Sequence, residues 1–317
     1  MQVDLIKKAV HILNQGGLVA FPTETVYGLG ADASQPQAVQ KIFDTKQRPA
    51  DHPLIVHLAS QAQLFDWARV VSPEAYRLAQ AFWPGPLTLI LPKQEHVLAS
   101  VTGGQDSIGL RIPAHPVARA LLEAFGKGIA APSANQFTHL SPTTAAAVEE
   151  ELGAKVDLIL DGGACQIGLE STIVDVTGEE AVILRPGMIS AEMIAAVLGQ
   201  VVSYRSEASQ RAPGMHHLHY APMTRTILIR KAAWPDFLRG NADFPLALVT
   251  HTAMTVENEH IHRVQMPAQV EPYAHLLYQT LRDLDHQHFA CIVIETVPED
   301  AAWDAVRDRL NKASARP

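Results

Sequence analysis

The sequence predicts an α/β protein with an open, twisted, mixed sheet and a smaller, Rossmann-like α/β domain at the C-terminus. Three observations favour this class. Short apolar runs alternate with helical patterns up to about residue 200, and the alternation resumes after an irregular segment. Several runs are rich in Val, Ile and Leu, as expected of strands covered on both faces. The length of 317 residues exceeds one ordinary domain.

The first part of the chain contains alternating strand and helix candidates. The strand candidates, in chain order, are GLVAF, LTLILP, IGLRIP, GIAAP, DLILDG, STIVDV and AVILRP. The helix candidates are residues 2–15, PQAVQKIFDTK, HPVARALLEAFG, TTAAAVEEELG and SAEMIAAVLG. Ser141, followed by Pro142, predicts a helix N-cap with proline at the first helical position, and Ser190 predicts a second N-cap.

The segment after residue 200 loses this periodicity and gathers Ser, Pro, Gly and His. We therefore predict a first domain over 1–204, a linker over 205–224 and a second domain over 225–317. In the second domain RTILIR, LALVTH and ACIVIET are typical of strands. They alternate with the helical patterns VEPYAHLLYQTLRDLDHQ and AAWDAVRDRLNKAS, which indicates a small βαβ-type unit.

Composition argues against several classes of protein. The net charge is −8, from 25 Lys and Arg against 33 Asp and Glu, with no polybasic block, so tight direct nucleic-acid binding is not expected. No run of about 18 apolar residues predicts a membrane span. The N-terminal residues fit an amphipathic helix rather than a signal peptide, and the two cysteines follow no CxxC spacing, so we expect a cytoplasmic protein.

Familiar catalytic motifs are absent or weak. The chain has no GxxxxGK[ST], GxSxG or HExxH pattern. GLGADA at 28–33 matches a loose dinucleotide fingerprint without a well-placed acidic partner. His216, His217 and His219 lie together, but their spacing is no strong zinc signature. Cys165 has no evident base nearby, so a structural role is favoured over a nucleophilic one.

Cations and hydroxyls at strand ends indicate a site for an anionic substrate. Lys46 and Arg48 precede Pro49 on a constrained loop, which suits an anion with several oxygens, although ordinary surface charges would look the same. Arg111 lies inside an apolar strand pattern, so it needs either a buried glutamate or a substrate carboxylate as its partner. Arg185 ends another strand. Hydroxyls accompany them at Ser133, Ser141, Ser171 and Thr172.

Taken in order, the motifs resemble the YrdC-like family, and in particular its longer members with an extra C-terminal domain. The matching stretches are FPTETVYGLG, the K-x-R of Lys46 and Arg48, HPLIVH, FWPGPLTLIL, GLRIPAHP, APSAN, LESTIVD, ILRPG and APGMHHLHYAP. They run from about residue 10 to residue 222. Beyond that, only YAHLLYQTLRDLD and AVRDRLNKAS are similar to the family's second domain.

The resemblance implies a reaction. Such enzymes are nucleotidyltransferases that convert L-threonine, bicarbonate or CO₂, and ATP with Mg²⁺ into threonylcarbamoyl-AMP and pyrophosphate. The product serves the N6-threonylcarbamoyl modification of adenosine 37 in tRNA, and separate transfer proteins carry it to the tRNA. Whether bicarbonate or CO₂ supplies the carbon is left open.

The resemblance also implies site residues. The threonine pocket uses Thr25, His57, Arg111, Ala131 and Ser171, with Tyr27 as a further wall. The ATP side uses Arg48, His52, Ser107, Ser133, Ser141, Arg185 and Tyr220. Lys46 lies beside the phosphates and, with Arg48, gives electrostatic help; no general base and no protein metal ligand is assigned. The family usually has asparagine at His52 and lysine at His216, where this chain's imidazoles carry only a conditional charge.

Two further hypotheses and one structural expectation complete the interpretation. An RNA-binding module without catalysis would present a basic concave face, and the lack of basic clusters counts against it. A dinucleotide oxidoreductase would depend on GLGADA. Because the linker 205–224 contains Tyr220, we expect it to fold back over the ATP site as a lid.

Overall fold

The structure is a computed structural model that describes residues 2–204, 212–214, 220–241, 243–253 and 258–315. The predictions for His216, His217 and His219, and for most of the linker, lie outside the described residues. Within the described chain two sheets are present. They confirm the predicted class of a large mixed α/β sheet followed by a smaller α/β unit. The predicted domain bounds at 204 and 225 stay predictions.

The first sheet has ten strands in the order β10-β9-β8-β4-β5-β3-β6-β2-β1-β7. Its pairings are mixed, since β4 pairs antiparallel with β5 and parallel with β8. The strands are β1 Val19–Phe21, β2 Gly28–Asp32, β3 Ile55–His57, β4 Leu87–Pro92, β5 Ser107–Arg111, β6 Ile129–Ala130, β7 Leu158–Ile159, β8 Thr172–Asp175, β9 Val182–Arg185 and β10 Ser203–Tyr204.

The second sheet has four strands in the order β11-β14-β12-β13, and all of its pairings are parallel. Its strands are β11 Thr226–Ile229, β12 Leu246–Thr250, β13 Ile261–Gln265 and β14 Cys291–Glu295. Parallel strands need crossover connections; a helix at Trp234–Gly240 lies between β11 and β12, and one at Val270–Asp285 lies between β13 and β14.

Helices cover the sheets where the apolar periodicity places them. They are α1 Gln2–Asn14, α2 Pro36–Lys46, α3 Leu64–Trp67, α4 Pro73–Phe82, α5 Ala99–Thr102, α6 Pro116–Phe125, α7 Ala145–Leu152, α8 Ala191–Leu198, α9 Trp234–Gly240, α10 Val270–Asp285 and α11 Asp304–Ala313. Short 3₁₀ turns occur at Gln61–Gln63, Gly153–Lys155, Lys231–Ala233 and Ala301–Trp303. No helix of the described residues combines the length and apolar character needed to span a bilayer.

Helix ends follow the local sequence in most cases. The predicted cap at Ser190 is confirmed, because its side chain accepts a hydrogen bond from the Met193 amide. The predicted cap at Ser141 is wrong. Helix α7 begins three residues later, and Thr144 caps it by accepting from the Ala147 amide at 3.2 Å. The Ser141 hydroxyl is therefore available for another contact.

Residues 28–30 begin strand β2. Strand β2 pairs with both β1 and β6. A side chain at Gly30 would meet the ring of Phe21 at 2.7 Å and the side chain of Ile129 at 2.8 Å. Glycine is required here by close packing inside the sheet rather than by a turn.

One hydrophobic cluster spans the two parts of the chain. It joins Val26, Leu140 and Leu169 from the first part to the buried faces of α10 and α11. Gly168 adds a close backbone contact, since its φ is +81° and a side chain there would lie 2.6 Å from the His275 carbonyl oxygen. Helices α10 and α11 of the second part therefore pack against the loops that follow β1 and precede β8.

Candidate active site

A pocket opens where several strands and loops of the first sheet end. Its walls come from the β1–β2 loop, from β3, from the ends of β5, β6 and β9, and from the segment before β8. The lining residues are Thr23, Thr25, Val26, Gly28, Arg48, Ile55, His57, Arg111, Ala131, Pro132, Ser133, Glu170, Ser171, Arg185, Pro213, Gly214 and Tyr220. Its enclosed volume is about 50 Å³. Pockets that hold whole small ligands usually measure roughly 300–1,000 Å³, so this pocket is narrow.

Arg111 lines the pocket and already has a carboxylate partner. Its Nη2 donates to Glu24 Oε1 at 2.6 Å, and both side chains are about 95% buried. Its Nε donates to the Gly85 carbonyl oxygen at 3.2 Å. Of the two partners that the sequence leaves open for Arg111, the structure shows the buried glutamate. The charge of Arg111 is thus balanced without a substrate.

Arg185, the last residue of β9, also lines the pocket. Its Nε and Nη2 donate to the Ser171 carbonyl oxygen at 3.0 and 2.9 Å, and Nη2 also contacts Ser171 Oγ at 3.1 Å. Its Nη1 donates to the Pro213 carbonyl oxygen at 3.0 Å and lies 3.5 Å from the Tyr220 hydroxyl. The described linker residues therefore contact this guanidinium directly.

Arg48 is buried in the same lining. Its Nη2 donates to the Pro53 carbonyl oxygen at 3.1 Å, and its guanidinium carbon lies 5.9 Å from the centre of the Phe137 ring. Burial lowers its pKa to about 10, so the group remains a cation at neutral pH. Its Nε has no hydrogen-bond partner among the described residues. A buried unpaired donor of this kind can serve an anion in the pocket.

Lys46 lies behind the lining rather than in it. Its ammonium donates to the carbonyl oxygens of Ser133 (2.6 Å) and Asn135, and so orders the loop that follows β6. Burial, and then the charge of Arg48, lowers the pKa of Lys46 well below its ordinary value. The predicted electrostatic role of Lys46 stays a prediction, while its described contacts are those of a residue that shapes the Ser133 wall.

His57 is a neutral imidazole in the floor of the pocket. Burial, and then the nearby charge of Arg111, lowers its pKa to about 3. Its Nδ1 is buried and has no hydrogen-bond partner among the described residues. The ring packs edge-on against Phe21 with their centres 6.0 Å apart.

The threonine hydroxyls of the β1–β2 loop are ordered by one another. Thr23 Oγ1 donates to the Val26 carbonyl oxygen at 2.6 Å and accepts from the amides of Thr25 and Val26. Because the single Thr23 proton is used, Thr25 is the donor in the 2.7 Å contact between the two hydroxyls. The lone pairs of Thr25 Oγ1 then act as acceptors. Thr23 also lines the pocket, although no role was predicted for it from the motif FPTETVYGLG.

Glu170 is the acidic residue among the described lining, and sequence reasoning did not select it. Its Oε1 accepts from Ser141 Oγ at 2.5 Å, its Oε2 accepts from Arg309 Nε at 2.8 Å, and Tyr278 donates to it at 3.1 Å. Burial alone would raise the pKa of this carboxyl, but the charges of Arg309 and Arg185 and the Ser141 hydrogen bond lower it overall. The carboxyl is therefore ionised. In the sequence, Glu170 directly precedes Ser171 and Thr172, the two hydroxyl residues that were predicted for the site.

The remaining predicted residues lie around the pocket. Ser107 lines a small neighbouring cavity that also contains Pro213. His52 is partly exposed, with its ring 5.3 Å from that of Phe137. The expectation that Tyr27 walls the pocket is wrong. Its hydroxyl donates to the Gly163 carbonyl oxygen at 2.8 Å, on the far side of the loop.

The arrangement is suited to an anion with several oxygens. Three buried guanidinium groups line a narrow cavity, hydroxyls accompany them, and the lining carboxylate Glu170 is neutralised by Arg309. A group with two separate anionic ends fits such a site, because Arg111 and Arg185 end strands β5 and β9, which are separated by two strands in the sheet.

Two family models together cover nearly the whole chain. The Sua5, YciO and YrdC family, described as "Telomere recombination", matches residues 11–187. The model described as "Threonylcarbamoyl-AMP synthase, C-terminal domain" matches residues 189–315. The fold and the pocket thus define a Sua5–YciO–YrdC-type protein. More particularly, the chain belongs to the branch of that family that carries the second, Sua5-type domain.

Two curated relatives match over nearly the whole of both chains. A threonylcarbamoyl-AMP synthase of Pyrococcus abyssi is 41% identical over 98% of this chain and 94% of its own, and one of Bacillus subtilis is 37% identical over 98% and 92%. Among solved structures, P. abyssi Sua5 complexed with L-threonine superposes with a TM-score of 0.90 at 40% identity, covering 98% of this chain and 94% of that one. E. coli YciO covers 59% of this chain with a TM-score of 0.52 at 29% identity.

Proposed function

We propose that this chain is a threonylcarbamoyl-AMP synthase, which makes threonylcarbamoyl-AMP and pyrophosphate from L-threonine, ATP and bicarbonate or CO₂. The observation that carries the proposal is the likeness, over nearly all of both chains, to a Sua5 structure that holds L-threonine. The pocket supports it, because nine of the twelve residues predicted to contact the substrates line one cavity although they come from distant parts of the sequence; His52, Ser107 and Ser141 do not.

On the threonine side, the carboxylate of the amino acid approaches Arg111. Further contacts come from Thr25, His57, Ala131 and Ser171. Thr25 offers an acceptor to the substrate ammonium, and the neutral imidazole of His57 can hydrogen-bond without adding charge. Glu24 fixes the plane of the Arg111 guanidinium, so the substrate carboxylate meets an arginine that is already oriented.

On the nucleotide side, Arg48 and Arg185 face the phosphates. The other proposed contacts are Ser133, Ser141, Tyr220, Ser107 and His52, with Lys46 behind the Ser133 loop. The unpaired Nε of Arg48 supports this assignment, since a phosphate oxygen would satisfy it.

In the reaction, the threonine amine attacks CO₂ and releases a proton to solvent, or attacks bicarbonate with loss of water, to give a carbamate. A carbamate oxygen then attacks the α-phosphorus of ATP, and pyrophosphate leaves from the opposite side. Negative charge moves onto phosphate oxygens, where Arg48 and Arg185 stabilise it by charge and by position. We assign no general base, because the neutral His57 with a pKa of about 3 is a weak one.

The side chains present do not form a Mg²⁺ cage. In the described part of the chain, no group of three or more metal-binding side chains is found, and Glu170 already accepts from three donors. Mg²⁺ prefers oxygen ligands and commonly binds nucleotide phosphates. We therefore propose that Mg²⁺ arrives with ATP, bound to its phosphates.

The linker is proposed to act as a lid, with the first domain at 1–204 and the second at 225–317. Pro213, Gly214 and Tyr220 already contact Arg185 or line the pocket. A volume of about 50 Å³ is smaller than ATP, so we expect Pro213, Gly214 and Tyr220 to move when the nucleotide enters.

The product is proposed to pass to threonylcarbamoyl-transfer proteins that modify adenosine 37 of tRNA in the cytoplasm. The net charge of −8 supports a division of labour in which this chain does not itself grip tRNA tightly. An RNA-binding role without catalysis has no specific observation in its favour.

The test is pyrophosphate release from ATP with bicarbonate and Mg²⁺, with and without L-threonine. We expect release that depends on threonine, with threonylcarbamoyl-AMP identified by mass spectrometry. Serine and alanine serve as matched amino-acid controls. Release that is equal without an amino acid contradicts the proposal.

A further inference from the structure

A buried arginine of the last helix reaches the wall of the pocket. Arg309, in α11, is fully buried, and its Nε donates to Glu170 Oε2 at 2.8 Å. Its Nη2 lies 3.5 Å from the Glu170 carbonyl oxygen, and its Nη1 donates to Asp308 at 2.5 Å. The two residues are 139 positions apart in the sequence. The second part of the chain thus contributes a charge to a site whose lining comes from the first part and the linker.

Arg309 also contacts a second residue of the nucleotide side. Its guanidinium carbon lies 5.1 Å from the centre of the Tyr220 ring, within the range of a cation–π interaction. Tyr220 packs in turn against Tyr278 of α10, with ring centres 5.8 Å apart. Through Glu170, Arg309 is one step from Ser141, whose hydroxyl donates to the same carboxylate.

The charge of Glu170 makes this contact important for ATP. A buried carboxylate in the pocket wall repels a triphosphate, since screening by water is weak there. Arg309 cancels that charge from behind the wall. The two lining arginines on the nucleotide side, Arg48 and Arg185, then act on the nucleotide without an opposing anion.

We propose that Arg309 is a positioning residue for ATP: it neutralises Glu170 and holds Ser141 and Tyr220 in place from the second domain. The inference rests on the proposed function and deepens it, because it gives the second domain a defined task at the nucleotide side. It assigns Arg309 no contact with threonine; of the proposed threonine partners only Ser171 adjoins Glu170, and no hydrogen bond between Arg309 and Ser171 is seen among the described residues.

Arg282 provides a matched control. It is also a buried arginine of the second part, in α10, and it also contacts the first part. Its Nη1 donates to Glu151 at 3.3 Å, and its Nη2 donates to the Leu140 carbonyl oxygen at 3.1 Å. These contacts line a separate cleft. Losing Arg282 therefore reports the general cost of removing a buried arginine between the two parts.

The experiment measures the dissociation constants of a non-hydrolysable ATP analogue with Mg²⁺, and of L-threonine alone, by calorimetry on the full chain. For Arg309→Met we expect the analogue to bind at least tenfold more weakly and threonine to change less than twofold. For Arg282→Met we expect less than a threefold change for either. The double variant Arg309→Met with Glu170→Gln should recover at least fivefold of the lost affinity, because the carboxylate charge is gone.

A purely structural role would weaken both ligands alike, and removing the Glu170 charge would not restore binding. Either result overturns the inference, as does unchanged ATP affinity in Arg309→Met. Thermal unfolding shows whether each variant is folded. If Arg309→Met is unfolded, Arg309→Gln, which also removes the charge, takes its place, with the same selective loss and the same recovery expected. If the wild-type protein binds no ATP analogue, the proposed function and this inference are both overturned. If wild type and Arg309→Met bind the analogue equally well, only the inference is overturned.

Discussion

Arg111 and Glu24 form a buried ion pair with a hydrogen bond of 2.6 Å at the edge of the pocket. The second carboxylate oxygen of Glu24 accepts from the Ala114 amide at 2.9 Å. The pair therefore joins the β1–β2 loop to the segment that follows β5. It both orients a substrate-facing guanidinium and links two parts of the wall.

Arg111→Ala should lose both stability and threonine-dependent activity. It leaves Glu24 buried without its partner, which typically costs about 3–5 kcal/mol of unfolding free energy. We expect threonine-dependent pyrophosphate release to fall at least 100-fold. The double variant Arg111→Met with Glu24→Leu should regain most of the stability, as measured by urea unfolding, and none of the activity. Activity that returns along with stability would contradict the role of Arg111 in binding threonine.

Ser141 and Thr144 should behave differently although they are only three residues apart. Ser141→Ala removes a hydrogen bond to the charged Glu170, worth roughly 1.5–3 kcal/mol, so we expect the KM for ATP to rise about tenfold or more. Thr144→Ala removes only the cap of α7 and should cost about 1 kcal/mol of stability with an unchanged KM. Steady-state kinetics and thermal unfolding measure the two effects. Equal KM values in the two variants would exclude Ser141 from the nucleotide side.

His57 should make the protein less stable as the pH falls. Its pKa is about 3 in the folded chain and about 6.5 when unfolded, so the unfolded state binds more protons between these values. The free energy of unfolding is therefore not reduced by His57 above pH 6.5, and it falls as the pH drops from 6.5 towards 3. Between pH 6.5 and 4.5 we expect a loss of roughly 2–3 kcal/mol in wild type relative to His57→Asn. Urea unfolding at several pH values tests this, and parallel curves for the two chains would be inconsistent with a neutral buried imidazole.

Two glycines with the same backbone conformation should respond unequally to alanine. Gly163 and Gly168 have φ values of +82° and +81°, so each substitution carries the left-handed strain of about 1–2 kcal/mol. A side chain at Gly163 meets nothing within 4 Å, whereas at Gly168 it lies 2.6 Å from the His275 carbonyl oxygen. Gly168→Ala should therefore lower the melting temperature distinctly more, and it should also raise the KM for ATP because α10 is displaced. Similar melting temperatures for the two variants would contradict this packing.

Regular elements were predictable wherever the sequence pattern is local. The helix predicted for PQAVQKIFDTK is α2, with the same bounds, because Pro36 begins it and Gln47 ends it in a left-handed conformation. Strand β4 also has the bounds of its motif LTLILP. Strand β13 was missed. It is a half-exposed edge strand, and its His, Arg and Gln lack the apolar run that marks the other strands.

The site was predictable as a set of residue types but not as a network of contacts. The arginines and hydroxyls could be selected because charged groups at apolar strand ends are unusual. The partner of Arg111 and the importance of Glu170 depend on pairs separated by 87 and 139 residues. No local pattern encodes such pairs. The cap assigned to Ser141 failed because α7 begins only at Ala145, where Thr144 supplies the cap.

The carboxylate of Glu170 makes the two parts of the chain depend on each other. Its partners Tyr278 and Arg309 lie 108 and 139 residues downstream, so a substitution at any one of the three positions leaves a buried polar group without its partner. A chimera that joins the first part of this chain to the second part of a relative should therefore be stable only if it keeps the contacts of positions 278 and 309 with position 170.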